Sequence, residues 1–247
     1  MQELGITHLF NLVFGAFFGW LMQLVGIHPA HAGRPINDTF ALEMLVFFAL
    51  VAFFLVVRLS LSVEHPNPFQ HVAEMIHEFV GGMGDQVIGH GHERFQSFAT
   101  CILLFVLLNN VIGLLVGLIP GVVTPTGEPV VPLGIAVMTF LYYNLHGFRV
   151  QGPVGYVKHF MGPLPWLAPL MFPIEIVSHL ARVMSLTIRL YANMFASDLL
   201  TLVWFSIIPI AVPSVFLGLH FFVSLIQAFV FMLLTMIYLS MAVAHEH

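Results

Sequence analysis

Charge is what this chain has least of. Asp, Glu, Lys and Arg make up 8% of its 247 residues, against about a quarter in a soluble domain. So few charges cannot clothe a water-facing surface, and a soluble fold is excluded. Cysteine is almost missing as well. The single Cys101 excludes an internal disulfide, and its place in an apolar run reads as buried packing. No Gly-rich loop runs into Lys-Ser or Lys-Thr, so the chain does not bind ATP through a P-loop. It shows no internal repeat of the kind that marks many secondary transporters. His-Glu-x-x-His is absent, and His71, His77, His90 and His92 do not add up to a metal site. Neither a metal nor a cofactor is expected. The formal net charge of -5 gives no reason to expect a nucleic-acid partner.

What is there is apolar: 59% hydrophobic residues and a mean hydropathy of +0.97. Several runs reach roughly the 20 residues that a helix needs to cross hydrocarbon. They are continuous rather than alternating, which disfavours a β-barrel. The expected fold class is all-α, a polytopic membrane protein with five transmembrane helices and an interfacial amphipathic helix. Residues 42–61, 95–118, 132–145, 170–206 and 213–243 are the expected spans. The third is short for a crossing, and the fourth is long enough to tilt strongly or to begin as a separate segment. The last two form a long hairpin around Pro209 and Pro213. Residues 68–90 carry Phe69, Val72, Ile76, Phe79, Val80, Met83 and Val87 at helical spacing, with Glu74, His77, Glu78 and Asp85 between them. That pattern suits a helix lying on the membrane surface. Asn109-Asn110 sit in the middle of the second span, and Gly113-x-x-x-Gly117 near its end points to a close helix contact.

Residues 9–27 fit a span, an interfacial helix or a signal sequence ending at Ala30-His31-Ala32. Glu3, with no Lys or Arg beside it, speaks against the signal. The chain divides into an N-terminal periplasmic or interfacial segment, residues 1–40, and a membrane domain, residues 41–247. Arg58, Arg94, Arg149, Lys158 and Arg182 fall on one side of these spans and Arg34 on the other. The positive side is cytoplasmic. The C-terminus is then inside, and the N-terminus outside unless residues 9–27 also span.

Arg189 is the residue this composition least prepares for. It stands in Leu-Thr-Ile-Arg-Leu-Tyr-Ala-Asn-Met with no acid close on its own helix face. A guanidinium at bilayer depth costs roughly 3 to more than 10 kcal/mol, so its partner must be near in space. Glu175, Ser178, Arg182, Ser185, Arg189 and Asn193 recur every three or four residues, on one stripe of a helix. Helix-to-helix glue accounts for the Ser and Asn residues of such a stripe, but not for Arg189. Arg182 reads as a solvated charge at the inner end. The following span carries His220, Ser224, Gln227 and Tyr238. Folded as a hairpin, the two spans bring Arg189 level with Gln227, and Asp198 level with His220 about 10–14 Å nearer the outside. A carboxylate and an imidazole at one level suit a proton relay. Asp198 follows Arg189 by nine residues, so it points to the opposite side of its helix. It is expected to line a separate cavity, with the relay bridged by water.

Ser185-Leu-Thr-Ile-Arg-Leu-Tyr-Ala-Asn-Met-Phe-Ala-Ser-Asp198 resembles the signature segment of the a subunit of F-type ATP synthases, of the bacterial type. Gln227-Ala-Phe-Val-Phe-Met-Leu-Leu-Thr-Met-Ile-Tyr-Leu-Ser240 resembles that family's final helix. The resemblance covers residues 41–243. It implies a non-catalytic, multi-pass subunit of the Fo sector in the cell inner membrane, coupling hydrogen ion transport to ATP synthesis. Its partners would be the rotating c-ring, the b subunits of the peripheral stalk, membrane lipid and the translocated proton. Arg189 matches the family's essential arginine, Gln227 its final-helix glutamine, and Asn193 the asparagine after the arginine. Asp198 and His220 match the acidic residue and histidine of the outer half-channel, and Glu175 the glutamate of the inner one, with Ser178 and Ser185 on the same path. Some bacterial members carry acids in the second span, where this chain has Asn109 and Asn110. The rival expectation is a self-contained secondary transporter or ion channel, with Arg189 binding an anion.

Overall fold

The computed structural model describes residues 5–25, 35–62, 66–116, 124–161, 168–207 and 211–243. They form seven helices and one 3-10 turn: α1 (Gly5–Val25), α2 (Asp38–Leu59), α3 (Pro68–Val87), α4 (Glu93–Val116), the turn Pro125–Gly127, α5 (Val130–Met161), α6 (Ala168–Ile207) and α7 (Ala211–Val243). The all-helical fold expected from the sequence is the one found. The Pro209 turn, Gly117, Pro120-Gly121, Glu64-His65 and the Ala30-His31-Ala32 site lie outside the described residues.

Long apolar runs make the helices, and their shared apolar faces make the core. Ile102 and Val106 of α4, Ala136 of α5, Leu186, Leu190 and Met194 of α6, and Ala228 and Phe231 of α7 pack into one cluster. The most extensive helix contacts are α4 on α7 and α5 on α6. The last two helices are therefore no isolated hairpin, because α4 and α5 are built into it. At 1.5 Å per residue, α6 is about 60 Å long, twice a hydrocarbon core of roughly 30 Å. It continues through Pro173 near its start.

Two expectations on individual elements change. The third span is not short: its apolar part runs over Val130–Val150, and the helix continues to Met161 across a kink at Gly152, whose φ of 73° suits glycine. Polar residues after Leu145 disguise its continuation. His146 Nδ1 lies 3.0 Å from the Tyr142 carbonyl one turn back, and its ring meets Phe95 edge-on at 5.2 Å. Cys101 is exposed, not buried. It faces a groove of about 770 Å³ between α2, α4 and α5, with Phe54, Arg58 and Met138.

Among the described residues six helices are long and apolar enough to cross a membrane, α1 included. The contacts of α1 decide how it sits. Thr7 bonds Asp38, Asn11 bonds both backbone groups of Ile36, and Phe18 meets Phe40 edge-on at 5.1 Å. A side chain at Gly15 would touch Pro35. About 16 Å of α1 thus stays against the short segment 35–40. A hairpin partner of α2 would instead run down its length. From deeper in α2 the Phe48 ring stacks on Phe10 and Phe14, and helical Phe side chains lean back toward the helix N-terminus. So α1 lies across the N-terminal end of α2.

The amphipathic α3 gives Val80, with Ile76, Met83 and Val87, to Ala99 of α4 and Met232 and Met236 of α7. Phe69, Val72 and Met75 stay exposed. Gln70 ties its start to the segment that follows α2 by accepting from the Ser62 N–H and donating to the Ser62 carbonyl, both at 3.1 Å.

Candidate functional site: a polar stripe across α6 and α7

On α6, Leu186, Leu190 and Met194 turn into the core. The neighbouring stripe carries Ser185, Arg189 and Asn193 to the edge of the bundle, where Ser185 and Asn193 are exposed and Arg189 is half-buried. Arg189 donates from Nη2 to Ser185 Oγ at 3.4 Å. Among the described residues no carboxylate lies within ion-pair reach of it. Gln227 is buried on α7. Its Oε1 accepts from Asn193 Nδ2 at 3.1 Å, so Gln227 braces the residue one turn beyond Arg189 rather than Arg189 itself.

Asp198 and His220 do not meet. Asp198 turns away from the Arg189 stripe toward the 3-10 turn, where Thr124 Oγ1 donates to its Oδ2 at 2.6 Å. The turn is seated there by size: a Cβ on Gly127 would stand 3.1 Å from Asp198 Oδ2. His220 is buried, with Nε2 3.2 Å from Met194 Sδ. One turn along α7 from His220 stands Ser224, fully buried, as are Asn109 and Asn110 of α4. Asn110 Nδ2 donates to the Ser224 carbonyl at 3.5 Å. Both asparagine Oδ1 atoms and Ser224 Oγ lack a partner among the described residues. Buried polar atoms of this kind commonly hold internal water.

The other end of the stripe is a second cluster. Glu175 Oε1 lies 3.5 Å from His179 Nε2 and 3.8 Å from Arg182 Nη2. His179 Nδ1 is 2.7 Å from the Tyr143 hydroxyl of α5. Arg182 lies over the Tyr238 ring of α7, 5.4 Å from its centroid. Arg182 is therefore not a solvated end charge: Glu175 and Tyr238 take up its positive head. Ser178 is half-buried one turn from Glu175.

Sequence reasoning missed Thr124, Tyr143 and His179. His179 was within reach, since it follows Glu175 by four residues. Thr124 and Tyr143 carry no local signal, because each meets its partner across the fold. Among the described residues no three His, Cys, Asp or Glu side chains are placed to hold a metal ion. The site is thus a line of polar groups crossing an apolar bundle, with a cluster at each end and an arginine on the open face between them.

A sequence model described as ATP synthase A chain matches residues 39–240. ATP synthase subunit a of Koribacter versatilis (strain Ellin345) is 46% identical over 246 residues, covering 100% of this chain and 99% of that protein. The subunit a of Solibacter usitatus (strain Ellin6076) is 44% identical over 227 residues, 92% of this chain and 95% of that one. That of Bdellovibrio bacteriovorus is 42% identical over 176 residues, 71% and 75% of the two chains. The resemblance first drawn from residues 185–198 and 227–240 thus extends over the whole length, and the chain belongs to the ATP synthase A chain family.

Proposed function

We propose that this chain is the proton-conducting stator subunit a of an F-type ATP synthase, with two half-channels that load and unload a rotating c-ring. It does no chemistry on ATP. Its neighbours are the c subunits, the b subunits of the peripheral stalk and lipid. The C-terminus is cytoplasmic, in keeping with the Lys and Arg bias of the loops. On that orientation α1, crossing the start of α2, lies at the outer interface and leaves the N-terminus outside.

A proton arrives from outside at the level of Asp198 and His220, bridged by water held at Asn109, Asn110 and Ser224. It passes to a carboxylate on a c subunit, whose neutral form can turn into lipid. After nearly a full turn that carboxylate reaches the inner path, where Ser185, Ser178 and Glu175 lead to the cytoplasm. Arg189 attracts the ionised carboxylate and favours release of its proton. Its fixed charge also blocks a direct leak between the two paths. Asn193 and Gln227 keep the polar face beside it in shape.

The single observation that supports this reading most is Arg189 itself. It stands half-buried on the bundle's open edge, with Ser185 alone as its partner among the described residues. A charge so placed calls for a carboxylate on another chain. The test is purification of the chain from its own membrane. A ring of subunits that each carry one mid-membrane carboxylate should co-purify with it. Recovery of the chain alone, conducting ions when reconstituted by itself, would contradict the proposal.

A further inference from the structure

Beside the Asp198 cluster lies a pocket of about 550 Å³ whose lining includes Asn37, Thr39, Glu43, Phe105, Glu128 and Gly134. It opens where α2 and α5 begin, at the end of the bundle to which α1 is strapped. Glu43 is five residues into α2, roughly 8 Å along the helix from Asp38. A carboxylate at such a depth in an apolar helix is costly and calls for a role. Glu128 faces the same pocket, close enough for its charge to act on Glu43. Neither side chain has a hydrogen-bond or ion-pair partner among the described residues.

The pocket is joined to Asp198 by one short piece of chain. Glu128 directly follows the 3-10 turn, and Thr124 directly precedes it. Thr124, Pro125, Thr126 and Gly127 are all buried. Thr124 ends the turn on the Asp198 carboxylate. Thr126 is wholly buried and its Oγ1 has no partner among the described residues. A hydroxyl in that position needs water, so the turn is a polar strip between two carboxylates and a third.

We infer that this pocket is the outer inlet of the proton path, a wet vestibule in which Glu43 and Glu128 collect protons and pass them along the buried turn to Asp198. The inference rests on the half-channel reading above and adds its opening. A hydronium ion gives its proton to the Glu128 carboxylate and leaves as water. Glu128 gives that proton to water ordered at Thr126 and returns to its ionised form. Asp198, held by the Thr124 hydroxyl, takes the proton from that water. One proton moves and no other bond changes. Two carboxylates in a cleft with apolar walls also focus the field and concentrate cations at the opening. The same charges repel a lipid phosphate, which argues against a headgroup as the occupant.

The experiment uses the whole synthase in sealed vesicles, with rates normalised to assembled complex. Replacing both acids, Glu43→Gln with Glu128→Gln, should slow proton-driven ATP synthesis roughly tenfold, the low end of what a focusing cleft adds to an arrival rate. Gly134→Leu should slow it too, because Gly134 lines the pocket and a Cβ added there meets nothing within 4 Å, leaving room for a bulky side chain to narrow it. In a Cys101→Ser background, Glu43→Cys and Glu128→Cys should react with a membrane-impermeant thiosulfonate from the outside, and the reaction should stop proton flow. Wild-type rates in the double Gln and Gly134→Leu variants, with both cysteines unreactive, would overturn the inlet if Asp198→Ala is slow. A wild-type rate in Asp198→Ala would overturn the half-channel reading itself.

Discussion

Gly127→Ala is a one-carbon change with a calculable consequence. The new Cβ would stand 2.5 Å from Thr124 Oγ1 and 3.1 Å from Asp198 Oδ2. The first distance is too short for carbon and oxygen, so the hydroxyl must swing away. That breaks the 2.6 Å bond it donates to Asp198. A hydrogen bond to a charged group is worth about 1.5–3 kcal/mol, and a crowded methyl adds roughly 1–3 kcal/mol of strain. If the bond holds Asp198 for proton transfer, the lower figure alone slows translocation about tenfold. Thr124→Val removes the bond without crowding and should match it. Thr124→Ser keeps the hydroxyl and should translocate almost normally. The pair Gly127→Ala with Thr124→Val should be scarcely slower than either alone, because both remove the same bond. The assay is ATP-driven proton pumping in inverted vesicles, normalised to ATPase activity of the assembled complex. Wild-type pumping by Gly127→Ala or Thr124→Val would refute the reasoning.

Asp198→Ala should slow pumping strongly, and His220→Glu in that background should restore part of it by supplying a carboxyl at a neighbouring level. No rescue in pumping would separate His220 from the outer path. Tyr143→Phe removes the hydroxyl beside His179 Nδ1. It should lower the midpoint of thermal unfolding in detergent, through a loss of about 1–3 kcal/mol at a buried polar pair. Leu190→Ala opens a void in the cluster shared by α4, α5, α6 and α7. It should cost about 2–5 kcal/mol, read as lower yield and lower melting temperature of the complex.

The elements legible in the sequence were those written locally. The apolar runs of α2, α4, α6 and α7 are continuous, so their length alone announced them. The stripe from Glu175 to Asn193 depends only on helical period, and it lies on one face of α6 as that period requires. The part of α5 beyond Leu145 is hidden because His146, Gly147 and Arg149 look like a loop. The His146 ring lies against the Tyr142 carbonyl within the helix and meets Phe95 edge-on, which sequence spacing does not reveal. Asp198 and Thr124 are 74 residues apart, and Tyr143 and His179 are 36 apart. Such pairings belong to the tertiary fold and leave no periodic trace. Arg182 was misread for the same reason, since the ring beneath it comes from α7. The orientation of α1 was equally hidden. Its composition permits a crossing, and only its bonds to residues 35–40 lay it across α2.

The central claim is that Arg189 meets no carboxylate among the described residues because its carboxylate arrives on another chain. Proton-driven ATP synthesis by the assembled complex carrying Arg189→Ala tests it most directly. The complex should assemble with its ring, bind nucleotide normally and synthesise no ATP from an imposed proton gradient. Normal coupled synthesis by that variant would contradict the claim.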